Sequence, residues 1–238
     1  MTLPGEDDRA GSLEVRVKGL FSPPGLSGGR MMIAQEVWIR DLVELAAAQA
    51  AGRGEAMEAA MARLQEAGRL VEVEEALLQS YLFLGFPAAI EAFRRWRTYV
   101  PGPPAGTAAD LEGWASRGES VCSVVYGEKY GQLRRNIARF HPDLDRWMVV
   151  EGYGKVLGRS GLPLEVRELL IVAVLVVQGA PARRQLRSHL QGALNAGAKP
   201  AQIEATIEWA GACAGRDAVA LARKLWSALR PDSVGGRR

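Results

Sequence analysis

Residues able to do chemistry are scarce in this chain of 238 residues, which holds two cysteines, Cys122 and Cys213, and two histidines, His141 and His189. The cysteines lie far apart and form no CxxC pair or metal-ligand spacing, and two histidines cannot complete a zinc cage of ordinary composition. No metal is expected. Both cysteines read as small core residues in a reducing cytoplasm. The arginines gather only in short groups, Arg94-Arg95-Trp96-Arg97, Arg134-Arg135 and Arg183-Arg184 with Arg187. Each is the size of a solvated helix face, and the net charge is only +3. A nucleic-acid partner is therefore not expected, although the sequence pI is near 9.0.

These residues must be positioned by a soluble globular chain, 48% hydrophobic and 24% charged. A chain of this size buries roughly 70% of its unfolded surface and needs no disulfide to stay folded. The start, Met1 to Arg9, is polar and acidic rather than a secretory signal. The longest apolar run, Leu169 to Val177, falls well short of the roughly 20 residues that cross a bilayer. No membrane partner is expected.

The elements read as helices throughout. Pro and Gly mark residues 1–30 as a loose arm, with a short alternating patch at Leu13 to Val17. Helical pattern begins at Ile33 and runs to Ala51. It continues over Glu55 to Ala67, Val71 to Leu84 and Ala88 to Arg97, the last two separated by Gly85-Phe86-Pro87. A Pro-Gly linker occupies 100–110. Beyond it lie helices near Leu111 to Arg117, Gly131 to Arg139 and Asp143 to Gly152, then one starting at Pro163, where proline and Glu165 suit a first turn. Its body, Leu169 to Val177, is apolar all round and rich in β-branched residues, so by propensity alone a buried strand is almost as favourable. Helices over Gln185 to Ala196, Pro200 to Ala214 and Asp217 to Leu229 follow, then a frayed tail, 231–238.

The two halves suggest an internal repeat. Ala67-Gly68 matches Ala196-Gly197 and Glu75-Ala76 matches Glu204-Ala205 at an offset of 129; Gly85, Ala88, Ala92 and Trp96 match Gly215, Ala218, Ala222 and Trp226 at 130. The expected organisation is a degenerate helical repeat over 31–99 and a second helical domain over 111–230. Ala60 stands where the second copy has His189, so the first copy lacks that residue and is expected to serve in packing.

Several segments together resemble the carboxymuconolactone decarboxylase family and its alkylhydroperoxidase D-like relatives. They are Tyr126-Gly127-Glu128-Lys129-Tyr130, Tyr153 to Leu162, Glu165 to Leu170, and Leu186 to Ala198, the last being the most specific. Tyr81 to Phe93 is similar to the end of the same unit. The resemblance implies an all-α, alkylhydroperoxidase D-like fold, here with the unit duplicated as the repeat indicates, a homo-oligomer, and a helix at Leu169 to Val177. It also implies a site between helices for a decarboxylase or related lyase acting on a small carboxylated or lactone-type molecule, with no metal or organic cofactor.

The peroxidase branch of that group carries a glutamate, a CxxC pair and a histidine. Glu168 matches the glutamate and His189 the histidine, but the cysteines are absent. Peroxide reduction needs an attacking thiolate and a resolving thiol within roughly 7 Å between Cα atoms, which disfavours that activity here. Decarboxylation requires a cationic grip and a proton donor; Arg159 and Arg187 are the candidates to grip substrate carboxylates, Glu168 or His189 to supply the proton, and Tyr153 to act as a further donor. Each has a plainer role open to it. Glu168 could pair or cap in the first turns of its helix, His189 borders an apolar stripe, and Arg159 could be a solvated loop residue. Leu157 and Ser160 replace the tryptophan and proline of the decarboxylase pattern. A non-catalytic scaffold or ligand-sensing module is the alternative function.

Overall fold

The computed structural model describes residues 27–104 and 106–230, with side chains from residue 37 onward. The arm and its strand-like patch lie mostly outside the described residues, and so does the tail. The fold is all-α, with no strand among the described residues. Helix α1 is Ser27–Ala50, α2 Gly54–Glu66 and α3 Leu70–Tyr99. After the linker come α4 Leu111–Tyr126, α5 Tyr130–Phe140 and α6 Pro142–Trp147, which runs into a π-helix, Met148–Leu157. The remaining helices are α7 Leu164–Gln178, α8 Arg183–Asn195, α9 Pro200–Gly211 and α10 Arg216–Ser227.

Helix α7 is the axis. Every residue from Val166 to Val176 is buried, because α1, α8 and α9 surround it and α3 and α10 touch its ends. That full burial resolves the strand-or-helix ambiguity. β-Branched residues cost a helix a few tenths of a kcal/mol each, whereas burying each such side chain returns about 1.5–3 kcal/mol. α1 lies alongside, with Leu42, Val43, Leu45 and Ala47 sealed in the same core.

The separate helices read on either side of Gly85-Phe86-Pro87 form one bent element, α3. Gly85 sits at φ 80°, ψ 164°, outside the helical region, so the axis breaks there and Pro87 begins the second arm. α3 is long and apolar enough by composition to cross a membrane. The bend divides it into arms each shorter than a bilayer crossing, and it packs on α1, α2 and α7.

α4 and the π-helix approach each other backbone to backbone. A Cβ on Gly154 would stand 1.8 Å from the Trp114 carbonyl oxygen, and one on Gly118 2.2 Å from that of Val149. Arg117 Nε donates to the Gly154 carbonyl at 2.8 Å across the same seam. The two halves also share one contact: Trp96 Nε1 donates to Glu74 at 2.7 Å and Trp226 Nε1 to Glu204 at 3.0 Å, each pair 22 residues apart. This pairs Glu204 with Glu74, where the sequence match had chosen Glu75.

Candidate functional site

Arg167 and Glu168 are adjacent in the first turns of α7 and both fully buried. About 100° of helical rotation separates neighbouring side chains, so they face different partners. Arg167 turns to α3, donating to Glu75 Oε2 at 2.8 Å and Gln79 Oε1 at 3.3 Å, and also to the Leu162 and Arg159 carbonyls. Burial lowers the pKa of its guanidinium and Glu75 opposes that shift. Glu168 turns to α8, where its Oε2 lies 2.8 Å from His189 Nδ1. Gly192, one turn beyond His189, makes this approach feasible: a Cβ there would stand 2.8 Å from Glu168 Oε2 and 2.8 Å from Val125 Cγ1. The other carboxylate oxygen, Oε1, is buried with no partner among the described residues.

His189 forms part of the wall of a cavity of about 370 Å³. The π-helix supplies one side of it through Met148, Glu151, Tyr153 and Leu157, α3 adds Leu82 and Phe83, and Trp147 and Leu144 of α6 stand at its edge. The widened turn of a π-helix often marks a functional site, and here it presents Tyr153 and Glu151 to the same space. The imidazole is held edge-on by Phe83, with centroids 5.8 Å apart at 85°, and by Tyr126 at 6.4 Å. With the carboxylate accepting, Nδ1 carries the proton, and Nε2, which has no partner among the described residues, is the atom left for a ligand.

Two phenols complete the polar lining. Tyr126 and Tyr153 rings sit 6.0 Å apart at 75°. Burial pushes Tyr126 up to about 12 and Tyr153 well above its ordinary value, with the Glu168 charge acting in the same direction. Both stay protonated donors at neutral pH.

The structure thus brings Glu168, His189 and Tyr153 together. It does not bring the two arginines to them. Arg159 binds Glu75 through Nε and Nη2, at 2.9–3.1 Å, and Thr107 through Nη1, beside a different cavity lined by Asp110, Trp114 and Arg117. Arg187 is exposed and lines a smaller hollow with Lys129, Ser188 and Gln191. Reasoning from sequence passed over Arg167, Gly192 and Glu151. Of these only Gly192 left a signal, as a glycine one turn from His189 in the most specific segment. The cysteines stand apart: Cys122 is buried near Tyr126 and Glu168, and burial raises its thiol to about 12, while Cys213 senses Arg53 and Glu44 instead. No group of three metal-ligating side chains occurs among the described residues.

The model of the carboxymuconolactone decarboxylase family matches residues 142–228, which hold Tyr153, Glu168 and His189. The 4-carboxymuconolactone decarboxylase of Acinetobacter baylyi is 30% identical over 92 residues, 38% of this chain and 67% of that protein. The chain belongs to the carboxymuconolactone decarboxylase family. The chain is also similar to Peroxisomal protein 2 of Schizosaccharomyces pombe, 35% identical over 138 residues, 56% of this chain and 63% of that protein. An uncharacterized 15.0 kDa protein of Paracoccus denitrificans is 37% identical over 73 residues, 31% of this chain and 54% of its own length. The chain thus spans between half and two thirds of the length of these last two relatives. No solved structure matches it.

Proposed function

We propose that the protein is a cofactor-independent decarboxylase or related proton-transfer enzyme, whose chemical step passes a proton between His189 and a carbon next to the carbonyl of a small carboxylated or lactone-type molecule. The observation that carries this reading is the buried Glu168–His189 pair at the wall of the cavity. Glu168 fixes the ring and stabilises it when it gains a proton, the arrangement that lets a histidine act as acid and base in turn. Two overall reactions use the step. In decarboxylation the C–C electron pair passes into the substrate's carbonyl as CO2 leaves, and His189, having taken a proton from water at Nε2, delivers it to the resulting enolate. In a related lyase or proton-shift reaction His189 first removes a C–H proton and then delivers it elsewhere. In both, Tyr126 and Tyr153 donate hydrogen bonds to the enolate oxygen.

A thiol peroxidase finds no support, since neither cysteine lies beside a second thiol in sequence and the Cys122 thiol is held protonated. Against the scaffold alternative, Glu168 is fully buried and His189 stands at a cavity wall, while no arginine joins them there. We further propose that the first half serves as a degenerate packing copy and that the protein self-associates. The proposed location is the cytoplasm or, by likeness to the fission-yeast protein, a peroxisome.

The test is a panel of lactones and enolisable carbonyl compounds, followed by ultraviolet absorbance and by deuterium uptake from D2O. Turnover should fall about 10²–10⁴-fold in Glu168→Gln and His189→Gln. Equal rates in wild type and both variants would refute the proposal.

A further inference from the structure

The charge of the cavity says which molecules it accepts. Among its described lining residues Glu151 is the single acidic or basic side chain besides His189, and neither arginine nor lysine is present. Arg187 and Lys129 line an adjoining hollow that shares Tyr126 with this cavity, and other cations are committed elsewhere. Arg134 is tied to Asp145 and Tyr130, Lys155 lies over the Trp114 ring at 5.5 Å, and Arg159 is bound by Glu75. Behind His189 the fully buried Glu168 adds a second carboxylate. A carboxylated ligand entering this space would lose water and meet Glu151 with no arginine or lysine in the described lining to receive it.

The rest of the wall fits a flat apolar ring. Phe83, Tyr126, Trp147 and Tyr153 provide aromatic faces, and Leu82, Met148 and Leu157 fill between them. The cavity, at about 370 Å³, suits a molecule of one or two rings. Close to Glu151, but outside the cavity's lining, the Tyr81 hydroxyl is buried with no partner among the described residues. Burial, with the charge of Glu151 nearby, raises the pKa of that phenol and keeps it a donor.

We propose that the Glu168–His189 cavity binds an uncharged or cationic ring compound, oriented with its carbonyl or hydroxyl at His189 and its donor or cationic end at Glu151, and that it discriminates against carboxylates. This rests on the proposed proton-transfer reading and selects, between its two reactions, the proton shift on an uncharged ring over the loss of CO2 from a dicarboxylate.

The probes are benzylamine, benzyl alcohol and benzoate, a cationic, a neutral and an anionic group on the same ring, titrated at pH 7 into the full chain and followed by NMR shifts of the His189 ring. Benzylamine and benzyl alcohol should each bind at least about tenfold more tightly than benzoate, and Glu151→Gln should shrink the benzylamine-to-benzoate ratio by roughly tenfold. The proposal is overturned if benzoate binds as tightly as the other two, if the ratio is unchanged in Glu151→Gln, or if none of the three shifts the ring. His189→Gln, followed by calorimetry, separates the two claims. The order of affinities persisting while no substrate is ever turned over sinks the catalytic reading alone, and a reversed order in an active enzyme sinks this one alone.

Discussion

Gly192 shows how much of the site depends on a missing atom. Its lack of a Cβ lets the Glu168 carboxylate lie against α8 within reach of His189. Gly192→Ala should push the carboxylate away, lowering turnover while costing about 1–3 kcal/mol of stability, read by denaturant unfolding beside the kinetic assay. The neighbouring acids make a second prediction. Cys122 rises from 9.0 and Tyr126 from 10.0, each to about 12, chiefly through burial. The unfolded chain therefore loses these protons first, so stability is intact below about pH 9 and declines as pH climbs towards 12. Cys122→Ala and Tyr126→Phe should each flatten that decline in urea titrations between pH 8 and 11. Glu168 and His189 could be read in the sequence because a distinctive segment carries each of them. The places of Arg159 and Arg187 could not, since Glu75, which binds Arg159, lies 84 positions away. Nothing local to Gly158-Arg159-Ser160 records that partner.

At the scale of elements, the π-helix and α4 are joined by glycines rather than by interlocking side chains. Gly154→Ala would drive a methyl into the Trp114 carbonyl, a backbone atom that cannot swing aside, and should destabilise the fold by about 3 kcal/mol. Gly152→Ala, with nothing within 4 Å, should leave the unfolding midpoint almost unchanged. The helices themselves were legible from periodicity and caps; even the bend in α3 was marked by Gly85 and Pro87. The π-helix was not, because Met148 to Leu157 has the same apolar spacing as an ordinary helix and its widened turn follows from packing on α4. α7 was ambiguous for the complementary reason. Its composition suits a strand, and helix wins through the neighbours that enclose it.

Across the whole molecule, the buried link between Glu75 of α3 and Arg167 of α7 joins the two halves next to the site. Removing one partner leaves the other charge buried alone, so Glu75→Ala should cost about 3–5 kcal/mol. The double change Glu75→Met with Arg167→Met should recover much of it, as read by equilibrium unfolding. The shared Trp-to-Glu bond, Trp96 to Glu74 and Trp226 to Glu204, fits the proposed kinship of the halves. The same α-helix-terminating hydrogen bonds follow α1, α2 and α8, and so distinguish nothing. For the proposed homo-oligomer, light scattering should give a multiple of 25.7 kDa, and a mass equal to one chain would refute it.

The account turns on His189 being held by Glu168 at Nδ1 with Nε2 offered to the cavity. Long-range ¹H–¹⁵N NMR of the histidine rings reads this directly, and with only His141 and His189 in the chain, His141→Gln assigns the spectrum. The prediction is a His189 ring protonated at Nδ1, with the Nε2 signal moving when a ring ligand fills the cavity. A His189 ring protonated at Nε2 alone, unmoved by ligand and unchanged in Glu168→Gln, would contradict it.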